Sequence, residues 1–251
     1  MEDFDNIAGF YGDFEKDELY IFRNNALKKQ LQEKIPKINE SFDSCYSQEL
    51  DYLSEEISKL IAIQFGGIRR AEKSKIELQI VCANLYRNSI NTLTTALQLT
   101  RSGYPVQSGT LLRSAIEICA AAIHLYLSPE KFEEFKKKEF KSTKSISFAD
   151  NIIPAFGKIW GFLSNTQVHI NVMHGNWHPV KFFEEKKESI TSFNIGLIAL
   201  STIVLRASLE RVYFKEIPMP EMWKLSETGE FIYIEPKKEK LVWIKNKMEG
   251  K

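Results

Sequence analysis

Three of the chain's four histidines fall close together, in the stretch Ser164-Asn-Thr-Gln-Val-His169-Ile-Asn171-Val-Met-His174-Gly175-Asn-Trp-His178-Pro179. Histidine is the side chain best suited to exchanging protons near neutral pH, so the cluster points first to general acid–base chemistry. Read as a helix from Thr166 to His174, the stretch sets His169 and His174 about 140° apart around the axis. They then meet only across a groove, and the groove needs a second helix as its other wall. The helix expected from Val106 supplies one: Arg113, Glu117 and His124 follow one another at steps of four and seven on a single stripe. Ala120 and Ala121 leave space between them. A charged pair on a largely buried helix requires partners, since an unpaired buried charge is costly. Two readings are open: Arg113 and Glu117 form a structural ion pair, or they orient the histidines and grip an anion, with His124 and Asn171 placed to touch substrate.

Other chemistries find little support. His174 and His178 have the four-residue spacing of a helical metal pair, but Gly175 and Pro179 interrupt any helix there, which sets His178 aside. No HExxH and no repeated Glu-x-x-His occurs, and Gly66-Gly67 lacks the Gly-Lys-Ser/Thr of a phosphate loop. No GxSxG is present, and Cys119 lies among alanines and isoleucines rather than in the polar setting a nucleophilic thiol needs. No metal and no cofactor is expected. Cys45, Cys82 and Cys119 are odd in number and widely spaced, as buried thiols of a reducing compartment are.

These residues must be positioned by helices. Ile76, Ile80, Ala83, Tyr86, Ile90, Leu93 and Leu97 recur at steps of three and four, which predicts a helix over Lys73–Thr100. Gly103 and Pro105 stop one helix and start the next, so the helix over Val106–Leu127 folds back antiparallel. A helix over Ser47–Phe65 is expected to end at Gly66-Gly67, and one over Phe193–Phe214 to run through the centre. Shorter helices are expected over Glu130–Phe140, after a Ser128 cap, and over Asp150–Leu163. Residues 1–45 read as a peripheral segment with one helix over Glu18–Glu33; residues 46–215 form the bundle core. Residues 216–251 read as a tail in which Glu230–Glu235 and Lys240–Lys245 pair as a β-hairpin on the bundle. The fold class is thus mainly α: an antiparallel helical bundle with peripheral N-terminal helices and a small C-terminal hairpin.

With 34 basic and 33 acidic residues the net charge is +1, which removes the argument for a protein that coats nucleic acid or an anionic membrane, though not for a local basic groove. The N-terminus is acidic without an apolar stretch, and the most apolar window, Ile195–Leu205, is about half of what a bilayer demands. The expectation is a cytoplasmic protein with no membrane partner.

The segment Asn171-Val-Met-His174-Gly175 resembles the signature of the HEPN superfamily, small helical bundles that include many metal-independent ribonucleases of toxin and antiphage systems. His174 takes the histidine position of that signature; His169 stands where it has arginine, and the asparagine is displaced to Asn171. The run from Gly103-Tyr-Pro105 to Leu111-Leu-Arg113-Ser-Ala-Ile-Glu117, with the later Ser164 to Val168-His169 element, is also similar to a group of uncharacterised bacterial helical proteins. The resemblance implies RNA cleavage through the 2′-hydroxyl, without metal, in a homodimer. His174 would serve as acid or base, His169 as the second proton-transfer group, Arg113 as the cation for the phosphorane, and Glu117 as their holder. The alternatives are a non-catalytic bundle that binds a cognate partner such as an antitoxin, and a bundle that binds a small molecule or nucleotide.

Overall fold

The computed structural model describes residues 6–169, 178–184 and 189–249. The chain is mainly α, as expected, with one two-stranded antiparallel sheet near each end. It opens with β1 (Ile7–Asp13) and β2 (Glu18–Arg23), then α1 (Ala26–Lys29), a π-helical turn (Gln30–Lys34) and α2 (Ile35–Cys45). The long helices α3 (Ser47–Ser74), α4 (Glu77–Arg101) and α5 (Pro105–Leu127) follow. Then come α6 (Phe132–Lys136), α7 (Ser142–Asp150), α8 (Phe156–Leu163), a second π-helical turn (Ser164–Val168) and α9 (Ser189–Val212). The chain closes with β3 (Trp223–Leu225), β4 (Phe231–Tyr233) and α10 (Lys238–Met248).

The α4–α5 pair forms as its punctuation predicts. Gly103 adopts φ +82°, a left-handed conformation that glycine accepts without a Cβ penalty, and Pro105 begins α5. Leu112, Ala115, Ile116, Cys119 and Ile123 of α5 are buried against Tyr86, Ile90 and Leu93 of α4 and against α9. Both α5 and α9 are long and apolar enough to span a bilayer, because α9 extends well beyond Ile195–Leu205. In α9, however, 83% of the apolar window is buried inside the protein, as befits the central helix of a bundle.

Several elements differ from the sequence expectation, each for a local reason. Residues 7–23 are a hairpin rather than part of a helix over Glu18–Glu33: Leu19-Tyr-Ile-Phe22 is an aromatic, β-prone run, paired across a turn with Phe10 and Tyr11. The Gly66-Gly67 pair does not end α3, since one helical ladder continues to Ser74 and Lys75 provides the left-handed stop. Ser128 makes no side-chain cap, and the helix after it ends at Lys136. Asp150 closes α7 instead of opening a helix; its carboxylate accepts the N–H of Gly157 (2.9 Å) at the start of α8. At the C-terminus, β4 pairs with Trp223–Leu225, while Lys240–Lys245 lies in α10.

The tail is fastened by buried charge. Glu210, fully buried on α9, accepts the N–H groups of Glu221 (2.9 Å) and Met222 (2.7 Å) and pairs with Arg206 Nε (2.9 Å). Lys240 and Lys247 of α10 reach the buried carboxylates of Glu56 (2.9 Å) and Glu49 (2.7 Å) on α3. Each of these buried carboxylates thus has a cation or amide in place of the water it loses, on at least one of its oxygens.

Candidate functional site

The face of α5 that carries Arg113 and Glu117 packs against α8 and the turn after it. Contact begins at Gly109, where a Cβ would lie 2.5 Å from the Gln167 side chain, so only glycine admits this approach. Next to it, Thr110 Oγ1 donates to the Gln167 carbonyl (3.3 Å). Two turns further along α5, Trp160 Nε1 donates to Glu117 Oε1 (2.7 Å), and Arg113 Nη2 reaches the same oxygen (3.0 Å). The Arg113 guanidinium lies 5.0 Å from the Trp160 ring centroid, within cation–π range. Both charged side chains keep a quarter of their surface exposed, and Arg113 Nε is buried without a hydrogen-bond partner among the described residues. The pair is therefore partly structural and partly open. Trp160 completes it; the sequence-level clue was that an indole N–H inside a bundle needs an acceptor.

His169 does not turn toward this pair from a continuing helix, as a shared groove requires. The second π-helical turn ends at His169, which is exposed and extended (φ −74°, ψ 127°), so no helix runs on through it and the 140° offset does not apply. Because Trp160 lies opposite Glu117 and Gln167 opposite Gly109, α8 and α5 run antiparallel. His169 thus leaves the contact at the N-terminal end of α5, away from Arg113. His174 and Asn171 lie outside the described residues.

His124, expected to touch substrate beside Arg113, lies away from the Arg113–Glu117 pair. It lies roughly 16 Å beyond Arg113 at 1.5 Å per helical residue, buried under α7. Its Nδ1 is 3.1 Å from Ser145 Oγ, and its ring stacks on Phe148 at 4.1 Å, with Phe140 at 5.3 Å. Burial, reinforced by the charge of Lys131, lowers its pKa below the ordinary 6.5. Cys82 and Cys119 are deeply buried and their thiols are pushed up to about 12, which leaves neither as a nucleophile.

A second place, which the sequence did not disclose, is a cavity of about 770 Å³ between the α1–α2 region, the α4–α5 turn and residues 178–182. Its walls follow from three anchors. Arg101 at the end of α4 grips Asp43 of α2 with two bonds (2.6 and 2.5 Å). Val180 donates its N–H to the Gly103 carbonyl (2.8 Å), and Phe183 donates its N–H to Ser41 Oγ (3.0 Å). The Phe183 ring meets Phe42 and Tyr46 edge-on, so the segment is held at both ends. Between these anchors His178, Lys181 and Phe182 line the space together with Lys34, Lys37 and Tyr104. Among the described residues no carboxylate lines it, and none of the three lysines is ion-paired. Among the described residues His178, set aside by its Pro and Gly neighbours, is the histidine in the cavity wall.

Among the described residues no three His, Cys, Asp or Glu side chains gather as metal ligands do. No family model, curated protein or solved structure matches the chain.

Proposed function

We propose that this protein binds a small anionic molecule with an aromatic or apolar body, of the nucleotide class, in the cavity between α2, the α4–α5 turn and residues 178–182. The observation that carries the reading is the combination of a largely apolar interior with three lysines on one cavity, Lys34, Lys37 and Lys181, that make no ion pair among the described residues. Ligand pockets commonly fall within roughly 300–1,000 Å³ and pair apolar walls with a few polar groups that set orientation. Lysine suits phosphate as a mobile point charge, while Tyr104 and the exposed Phe182 offer faces on which a base can stack. Calorimetric titration with AMP, ATP and a short single-stranded RNA tests the proposal. Binding of at least one is expected, weakening at high salt and on Lys34→Ala combined with Lys37→Ala. No heat with any of the three would refute it.

A second reading, an HEPN-like metal-independent endoribonuclease acting in the cytoplasm, draws on the Asn171-Val-Met-His174-Gly175 resemblance and on the Arg113–Glu117–Trp160 group. A guanidinium that keeps a quarter of its surface exposed has the charge to hold a phosphate oxygen. Total RNA in EDTA should be cleaved by the wild type and spared by the Arg113→Ala and His174→Ala variants. Equal behaviour of all three would end this reading.

A further inference from the structure

The β1–β2 hairpin stands apart from the bundle: its strands pack chiefly on each other. Phe10 and Ile21 lie on one face, Tyr11 and Tyr20 on the other, and all four are exposed. An isolated two-stranded hairpin is marginal in water, so this one needs a surface to cover it. At its tip Asp13, Glu15, Asp17 and Glu18 surround a single lysine, Lys16. Phe14, between them, is 97% exposed. A strand of six residues carries that tip roughly 20 Å beyond Arg23 at about 3.3 Å per residue.

The same chain holds the complement. The cavity is apolar inside and, among the described residues, carries three lysines without an ion pair and no carboxylate in its lining. An acidic tip with a projecting phenyl ring matches that surface in both charge and character. The arm does not fill its own cavity, since Phe14 is bare. We infer that the β1–β2 arm of one copy of this chain docks its acidic Phe14 tip into the cavity of a second copy, and that two copies do so reciprocally. Reciprocal exchange closes a two-fold dimer, buries the apolar arm twice and leaves no cavity open to start a filament. It rests on the reading of the cavity as an anion site and adds its regulation: the partner arm and the small anion exclude each other.

Sedimentation of the full chain, with two charge-reversed forms, tests this. One form carries Glu15→Lys and Glu18→Lys on the tip, the other Lys34→Glu and Lys37→Glu on the cavity. The wild type should dimerise, each form alone should associate at least tenfold more weakly, and a mixture of the two should recover the dimer. Matching thermal melts establish that both forms are folded. A wild type that stays monomeric to about 100 µM, a single form that dimerises normally, or a mixture that fails to recover the dimer overturns the inference, 100 µM being well above the Kd of a specific interface. Titrating ATP into the tip-reversed form separates the two proposals. Nucleotide binding there without a wild-type dimer sinks the arm exchange alone, a charge-dependent dimer whose tip-reversed form binds no nucleotide sinks the ligand reading alone, and a nucleotide that binds the tip-reversed form yet leaves the wild-type dimer intact sinks their mutual exclusion.

Discussion

Replacement of Gly103 by alanine should open the cavity while leaving the bundle folded. Gly103 sits at φ +82°, and a Cβ there would lie 2.3 Å from the Val180 carbonyl oxygen and 3.3 Å from its nitrogen. Left-handed backbone costs an ordinary L-residue about 1–2 kcal/mol. To restore ordinary van der Waals contact Val180 must also retreat by roughly 1 Å, a strain of the kind that costs about 1–3 kcal/mol on overpacking. The two together come to about 2–5 kcal/mol, and at about 2–4 °C per kcal/mol the melting temperature should fall by at least roughly 4 °C. Retreat of Val180 breaks its N–H bond to the Gly103 carbonyl (2.8 Å), and that bond holds the wall carrying His178, Lys181 and Phe182. Hydrogen exchange should therefore show the Val180 amide losing protection while α4, α5 and α9 keep theirs. Nucleotide affinity should drop at least about tenfold, the equivalent of 1.4 kcal/mol. Unchanged Val180 protection and an unchanged melting temperature would refute the reasoning. A destabilised protein that binds as tightly as the wild type would show that this contact does not form the site.

Neighbouring glycines in α3 should respond with opposite signs. Gly66→Ala meets nothing within 4 Å and should stabilise by about 0.5–1 kcal/mol through helix propensity, whereas Gly67→Ala drives a Cβ to 2.4 Å from the buried Tyr213 ring and should destabilise by about 1–3 kcal/mol. Urea midpoints decide, and two equal shifts would contradict the packing described. Glu210→Ala should cost about 3–5 kcal/mol, because it leaves three buried donors, Arg206 Nε and the amides of Glu221 and Met222, without their acceptor, while Arg206 keeps its pairs with Glu221 and Glu56. Limited proteolysis should then cut first between Val212 and Trp223; unaltered digestion would count against the latch. His124 has its pKa depressed in the folded state, so the unfolded chain takes up the proton more readily. Its contribution is complete above pH 6.5 and is lost as pH falls below that value, so the wild type should lose more stability between pH 7.5 and 5.5 than His124→Gln does. Equal losses would show that another group governs the acid limb.

Chain pattern alone determined the bundle. The three-and-four spacing of Ile76 to Leu97, the Gly103/Pro105 punctuation and the apolar run of α9 are local signals, and local signals define helices, their length and the antiparallel turn. The Arg113–Glu117 pair was legible for the same reason: its members share a helix, four residues apart. The partners were not. Trp160 at Glu117, Gln167 at Gly109 and Ser145 at His124 join residues tens of positions apart, and spacing along one helix says nothing about what the next helix brings to it. Hence His124, in phase with Arg113 on the stripe, serves a different part of the protein. Tertiary structure alone decided the cavity, since Lys34, Lys37, Tyr104 and His178 come from segments whose patterns predict no meeting. It also decided the two small sheets, where short aromatic runs suit strand or helix equally and the pairing partner settles the matter.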